Sequence, residues 1–178
     1  MPISPPTPQE YAPFYADYIQ RAAARGDVAA ALTIQIDELR STLGNLSDKQ
    51  ARFRTGPGEW SIKEIISHLI DAERVFSYRL LRISRKDKTP LSGFEQEDFV
   101  RESGADELAL GDLLSEFEYL RRANAIAIKN ISEDSATQVG TASGSAVSAR
   151  ALIFMLVGHV DHHMASLREK YLPALSQK

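Results

Sequence analysis

The histidines are the residues of this 178-residue chain best suited to chemistry. Three of the four lie close together, at His159, His162 and His163, and the fourth, His68, lies far upstream. Neutral imidazole is the commonest protein ligand for transition-metal ions. The chain has no cysteine, so histidine and carboxylate side chains are its strong metal ligands. This distribution indicates a divalent metal site.

Helical spacing favours His159 and His163 over His162 as a pair of ligands. Residues four apart on an α-helix project from one side, whereas adjacent residues differ by about 100°. His159 and His162, three apart, also meet this geometry, but the core-facing row that includes Met155 favours His163. His68 lies in a second apolar segment and is expected to face inward too. Three inward imidazoles leave coordination positions open, which is typical of catalytic rather than structural zinc.

Simpler explanations of the same residues stay open. A single inward histidine such as His68 is often a hydrogen-bonded core residue, and a local cluster such as that around His162 can lie on the surface. Asp71, one turn after His68, is either a hydrogen-bond partner of that imidazole or an exposed carboxylate.

Other side chains near His68 also have two explanations. Trp60 is expected to pack at a helix start, with a cavity wall as the alternative. Glu73 and Arg74 are expected to form a solvated or interface pair. Arg79 and Arg82 are suited to hold an anionic substrate, although salt bridges along a helix face are the simpler explanation.

Four stretches with the 3.6-residue apolar period predict an all-α, four-helix bundle. Asp27, Ser61 and Ser148 are the expected N-caps. Strand signals are nearly absent. The predicted helices run from Val28 to Leu43, from Ser61 to about Ile83, from about Leu108 to Ile131, and from Ser148 to Pro173.

The remaining segments connect or flank these helices. Residues 1–27, rich in proline and aromatic side chains, are expected to form an N-terminal arm with a short helix near Phe14 to Ala24. The arm is expected to pack on a single domain of residues 28–178. Two long connections, from Asp87 to Asp106 and from Ser132 to Val147, are expected to be crossover loops.

Composition argues against several classes of function. The net charge is only −3 and the basic residues are scattered, so no patch for nucleic acid or membrane is expected. The start of the sequence lacks the basic residues and apolar run of a signal peptide. No apolar stretch reaches the roughly 18 residues of a membrane span. A soluble, cytoplasmic protein is expected.

Several motifs occur in a characteristic order along the chain. Together they resemble the DinB/YfiT-like family, a helical family unrelated to the DNA polymerase of similar name. The first matches the pattern W-S-x-K-E-x-x-x-H-L-x-D-x-E-R. The motifs are the segments Trp60–Arg74, Tyr78–Arg82, Thr89–Phe94, Gly140–Gly144, Gly158–His163 and Leu167–Leu172.

The resemblance implies a bacterial four-helix bundle in up-down-down-up order, often a homodimer. By position it implies His68, His159 and His163 as ligands of a divalent ion, with zinc or nickel expected first and iron or manganese as further candidates. Many relatives carry a glutamate where this chain has Val160. Asp161 lies about 100° further round the helix and is not an obvious substitute.

These features predict a small metalloenzyme that activates water or a thiol and acts on a small molecule. It would be a hydrolase or a thiol S-transferase, since relatives use low-molecular-weight thiols such as bacillithiol, mycothiol or glutathione. The alternative is a non-catalytic stress protein that binds a metal or small ligand. The sequence contains no serine triad, phosphate loop or nucleotide fingerprint.

Overall fold

The computed structural model describes residues 3–176, which are mostly helical. In chain order the α-helices are α1 (Ala16–Ala24), α2 (Val28–Leu43), α3 (Asp48–Ala51), α4 (Ile62–Ser84), α5 (Gln96–Glu102), α6 (Leu110–Lys129), α7 (Glu133–Ala136), α8 (Ala149–Ser166) and α9 (Leu172–Leu175). A π-helical turn, Leu167–Tyr171, joins α8 to α9. Short 3-10 turns lie at Pro8–Glu10, Pro13–Tyr15 and Ala105–Glu107. Strands β1 (Val139–Ala142) and β2 (Ser145–Ser148) form an antiparallel hairpin.

The three predicted N-caps are confirmed. The Asp27 carboxylate accepts hydrogen bonds from the amides two and three residues later, at the start of α2. Ser61 and Glu64 form a reciprocal capping box at α4. Ser148 accepts a hydrogen bond from the amide of Ala151 at α8. Because each cap satisfies backbone donors that lack a partner within the helix, these residues fix where the helices begin.

Helices α2, α4, α6 and α8 form the predicted bundle. Polar contacts give the direction of its second and third members. Lys63, at the start of α4, donates to the carbonyl of Leu108, just before α6. Further along both helices, Arg74 pairs with Glu116. Therefore α4 and α6 run parallel.

The first and last helices of the bundle are also parallel to each other. Gln35 of α2 donates to the carbonyl of Val157 in α8, and Arg168, after α8, donates to Thr42 near the end of α2. The start of α4 lies beside the end of α8, so these two helices are antiparallel. The up-down-down-up order is therefore confirmed.

Helix α8 is the centre of the packing, because every residue from 151 to 160 is buried. A helix buried all round needs a neighbour on each side. One neighbour is α1, whose backbone approaches so closely that a Cβ at Gly158 would lie 1.8 Å from the carbonyl oxygen of Tyr18. Within residues 3–176, no helix has both the length and the apolar character needed to cross a bilayer.

Both long connections cross between helices as predicted, and each also contains short regular structure that the sequence did not predict. The hairpin β1–β2 lies in the second connection, and its turn residues Ser143 (φ 50°) and Gly144 (φ 76°) have the positive angles of a type I′ turn. The first connection contains α5, and its Leu91 forms a parallel bridge to Ala142 of β1. Strands of four residues are too short to show a period.

Helical structure also continues beyond the predicted end of the fourth helix. The chain passes from α8 through the π-helical turn into α9, where Pro173 occupies the first turn. A proline in a first turn has no intrahelical donor to lose, so it is tolerated there. The short helix predicted in the N-terminal arm is confirmed as α1.

Replacing Gly158 by Ala should separate α1 from α8. A glycine-to-alanine change inside a helix normally stabilises by about 0.5–1 kcal/mol. Here the clash with Tyr18 should dominate and lower the free energy of unfolding by about 1–3 kcal/mol, as measured by urea denaturation. Gly111→Ala in α6 is the control, because a Cβ there meets no atom within 4 Å. Equal effects of the two changes would contradict this account of the packing.

The arm residue Glu10 should make stability depend on acidic pH. Its carboxylate accepts from Arg150 of α8 over 2.7 Å, and this contact holds its pKa at about 2, below the usual 4.5. The contribution is present above pH 4.5 and is lost as the pH falls toward 2, reaching a loss of about 2 kcal/mol at pH 3. Glu10→Gln should reduce the dependence of the unfolding free energy on pH, as measured by urea denaturation. Glu107→Gln, at an exposed position, should not reduce it. Parallel pH slopes for wild type and Glu10→Gln would argue against the contact.

Candidate metal centre

Helices α4 and α8 bring three of the four histidine rings together. The Nε2 atom of His159 lies 2.9 Å from that of His68 and 3.1 Å from that of His163. One nitrogen from each ring lies within 4.8 Å of the other two. His162 turns away, with its Nδ1 3.1 Å from Oδ2 of Asp17. His159 and His163, four residues apart on α8, are thus the two that contact His68.

The chemistry of these three donors fits a divalent cation. A neutral imidazole nitrogen carries either a proton or a lone pair, so three Nε2 atoms this close cannot all satisfy one another. Two nitrogens that share a zinc ion at 2.0–2.1 Å lie about 2.9–3.4 Å apart at angles of about 90–110°. Both measured Nε2 separations fall in this range.

Burial keeps the three imidazoles neutral. It lowers the pKa of His68 to about 4 and that of His163 to about 3, with a smaller contribution from charge on neighbouring histidines. Burial also lowers the pKa of His159 well below its usual value, and the adjacent histidines add to the effect. Neutral imidazole is the form that binds metal, so no proton needs to be removed at pH 7.

Aromatic side chains enclose the cluster. The Trp60 ring lies 4.8 Å from the His68 ring and stacks on His163 at 6.4 Å. Tyr18 of α1 and Phe76 of α4 contact the His159 ring edge-on, with ring centroids 5.3 and 5.9 Å away. Trp60 therefore forms a wall of the site, which was the alternative explanation of this residue. The sequence did not point to Tyr18.

The π-helical turn helps to position this wall. The hydroxyl of Tyr171 donates to the backbone carbonyl of Trp60 over 3.0 Å. Its ring packs edge-on against Phe53 at 6.4 Å. A π turn shifts the following side chains around the axis and is frequent at functional sites. Sequence reasoning missed this contact because a π turn has no recognisable pattern.

The structure does not bring Asp71 to His68. The Nδ1 atom of His68 is buried without a hydrogen-bond partner. Asp71 is half-buried and lines a separate cavity with Ser67 and Arg74. Among residues 3–176 no carboxylate is hydrogen-bonded to any of the three clustered rings. A cation bound there would keep its full charge.

Glu73 forms a buried ion pair, so the expectation of a solvated or interface pair with its neighbour was wrong. Its Oε2 lies 3.1 Å from Nη2 of Arg121, and the two side chains are 2% and 0% exposed. Its Oε1 accepts a hydrogen bond from Asn124. Arg121 also donates to the carbonyl of Leu156 in α8, over 3.0 Å. The sequence did contain a sign of this buried pair, because Glu73 and Arg121 each lie on the apolar face of their helix.

A second polar network holds α8 from the side of α2. Asp161 accepts hydrogen bonds from Arg25 and, over 2.8 Å, from Gln35. Gln35 also donates to the carbonyl of Val157 over 2.9 Å, and Arg25 pairs with Glu38. These bonds lie on both sides of the first histidine of α8. They restrict how far that helix can slide or rotate.

The sequence that forms this site matches a known protein family. The model of the DinB superfamily matches residues 31–167. The chain belongs to the DinB superfamily. It is also 24% identical over 133 residues to a Geobacillus thermodenitrificans protein named "Putative metal-dependent hydrolase", an alignment that covers 74% of this chain and 75% of the relative.

Two solved structures share the fold of this DinB superfamily member. YfiT from Bacillus subtilis, described as a probable metal-dependent hydrolase with an unusual four-helix bundle topology, matches with a TM-score of 0.75 at 13% identity. That match covers 94% of this chain and 93% of YfiT. A mycothiol-dependent maleylpyruvate isomerase matches with a TM-score of 0.61 at 16% identity, over 84% of this chain and 60% of the isomerase.

Glu73→Ala should be strongly destabilising, because it leaves the buried guanidinium of Arg121 without its counter-ion. We expect a loss of about 3–5 kcal/mol in the free energy of unfolding, measured by urea denaturation. Arg74→Ala is the control: this exposed neighbour pairs with Glu116 at the surface, where an ion pair contributes about 0–1 kcal/mol. Losses of similar size for both variants would refute the buried-pair interpretation.

Proposed function

We propose that this protein is a metal-dependent enzyme that acts on a small molecule, with hydrolysis as its reaction. The observation that carries the proposal is the convergence of three Nε2 atoms from neutral imidazoles, of which His68 and His159 are buried and His163 is half-buried. A donor set of three protein nitrogens is characteristic of catalytic zinc, whereas structural zinc has four protein ligands.

In this proposal His68, His159 and His163 hold a divalent ion. When bound, such an ion supplies a Lewis acid that lowers the pKa of a ligated water or thiol. The aromatic side chains around the ion share one task. Trp60, Tyr18 and Phe76 restrict the approach of bulk water to the imidazoles.

The comparisons support hydrolysis as the first reaction to test. The Geobacillus relative carries metal-dependent hydrolysis in its name, and YfiT is described in the same terms. Both descriptions are consistent with a metal held by the three imidazoles of this chain.

Thiol transfer is the second candidate, and a feature of α8 favours it. The position where many relatives carry glutamate is Val160, which is 1% exposed and packs in an apolar cluster. Among residues 3–176, no carboxylate is hydrogen-bonded to the three histidines, so none is in place to take a proton from water. A thiol, with a pKa near 8.5, needs less help than water to ionise. The mycothiol-dependent isomerase with the same fold is consistent with this route.

Metal analysis tests the proposal. We expect about one divalent ion per chain after loading with zinc or nickel. Saturation at about a hundredfold excess over the Kd should add about 2.7 kcal/mol to the free energy of unfolding. His163→Ala should abolish both effects. Wild-type protein that takes up neither metal would sink the proposal.

His162→Ala is the matched control for that experiment. It removes an imidazole from the adjacent position of the same helix, but one whose side chain is 44% exposed and outside the cluster. This variant should bind metal like wild type. Loss of metal from His162→Ala, with retention in His163→Ala, would reverse the ligand assignment.

An activity screen then separates the two reactions from simple binding. Metal-loaded protein is offered ester and amide substrates, and separately a low-molecular-weight thiol with an electrophile. Hydrolysis or thiol consumption that disappears in His163→Ala identifies the reaction. Stoichiometric metal binding without either reaction would favour the non-catalytic metal-binding protein.

A further inference from the structure

A groove of about 510 Å³ lies between the second half of α4 and the loop that precedes α5. Twelve residues line it, and they include three arginines but no aspartate or glutamate. One wall is aromatic, since Phe94 and Phe99 meet edge-to-face at 5.2 Å. The opposite wall carries Val75 and Tyr78 of α4. The groove is therefore apolar on its sides and positive at its polar positions.

The three arginines of the groove differ in how their charges are balanced. Arg74 pairs with Glu116, and Arg82 pairs with Asp87. Arg79 is 3% exposed, yet within residues 3–176 it has no carboxylate at ion-pair distance. Of the three groove arginines, Arg79 is thus the one whose charge no carboxylate among residues 3–176 balances. A buried charge without a partner is unfavourable.

The surroundings of Arg79 fix its guanidinium in place. Its Nη2 donates to the carbonyl of Ser92 over 2.7 Å and to the hydroxyl of Ser143 over 2.9 Å. These partners come from the loop before α5 and from the turn of the hairpin. Both are neutral, so they orient the group and leave its charge unneutralised. Its Nε and Nη1 make no hydrogen bond to residues 3–176.

We propose that this groove binds the carboxylate of a small molecule with an aromatic or apolar body. Arg79 would donate a charge-assisted hydrogen bond to the carboxylate. Phe94 and Phe99 would contact the body. Shape and charge both select this class of ligand, because a neutral molecule would leave the buried guanidinium without a counter-ion.

The groove lies on the side of α4 that also carries His68. Arg79 follows His68 by eleven residues, which places it about 16 Å along the axis and only about 20° around it. Val75 lies on the same row between them. If the protein is an enzyme, the groove would hold the charged end of its substrate, and this role rests on the proposed function. The binding of a carboxylate in the groove does not depend on that function.

Nuclear magnetic resonance of the wild-type 178-residue chain tests where the ligand binds. Phenylacetate is the probe, and phenylacetamide is its neutral counterpart of the same shape. Phenylacetate should shift the amide signals of Val75 and Gly93, and phenylacetamide should not. Equal shifts with both probes, no shifts, or shifts confined to the neighbourhood of His163 would each overturn the proposal.

Variants test the assignment to Arg79. Arg79→Gln should weaken phenylacetate binding by about tenfold to a hundredfold. Arg122→Gln removes the same charge from an exposed site on α6 and should leave the affinity unchanged. Unaltered affinity in Arg79→Gln would refute the assignment. If that variant does not fold, Arg79→Lys replaces it: weaker binding is expected, and wild-type affinity would refute the role of the guanidinium.

His163→Ala separates this inference from the proposed function. The groove predicts that phenylacetate still shifts Val75 and Gly93 in that variant. Loss of these shifts would place the carboxylate at the histidines and overturn the inference. Shifts at Val75 and Gly93 in wild-type protein that takes up no metal would support the groove while the proposed function fails.

Discussion

The convergence of three imidazoles across the α4–α8 contact is the constraint on which the rest of the structure depends. The Nε2 atoms lie 2.9 and 3.1 Å apart, so a slide of one residue along either helix, about 1.5 Å, would break the set. Burial keeps the rings neutral and thus suitable as ligands, but it also brings their polar nitrogens close together. The remaining packing must hold these two helices in one register against that unfavourable arrangement.

Two groups of contacts, one steric and one polar, hold α8 in this register. The first is steric: α1 packs so closely at Gly158 that Tyr18 reaches the ring of His159. The second is polar, because Arg121 and Gln35 donate to consecutive carbonyls of α8, at Leu156 and Val157. Hydrogen bonds to specific carbonyls depend on the rotation of a helix, whereas apolar packing tolerates small rotations. The polar contacts therefore specify the rotation that aims the histidines.

Sequence reasoning located the histidine trio and the bundle because both rest on local rules. Spacing by four residues on a helix selects His159 with His163, and caps such as Asp27 depend on adjacent residues alone. What it missed depends on long-range contacts. Glu73 was expected to form a solvated or interface pair with Arg74, yet its partner is Arg121 of another helix. The hairpin consists of strands too short to show alternation, and the π-helical turn has no compositional signal.

Arg79 and Arg82 show the same limit within one helix. Spaced by three residues on α4, they are equivalent in sequence. Asp87 lies a few residues beyond Arg82 and neutralises it, whereas Arg79 meets only neutral groups brought from the hairpin and the loop before α5. The second connection, by folding as a hairpin, thus determines which arginine keeps an unbalanced charge. Together with a cation at the histidines, that charge would give one face of α4 two positive positions.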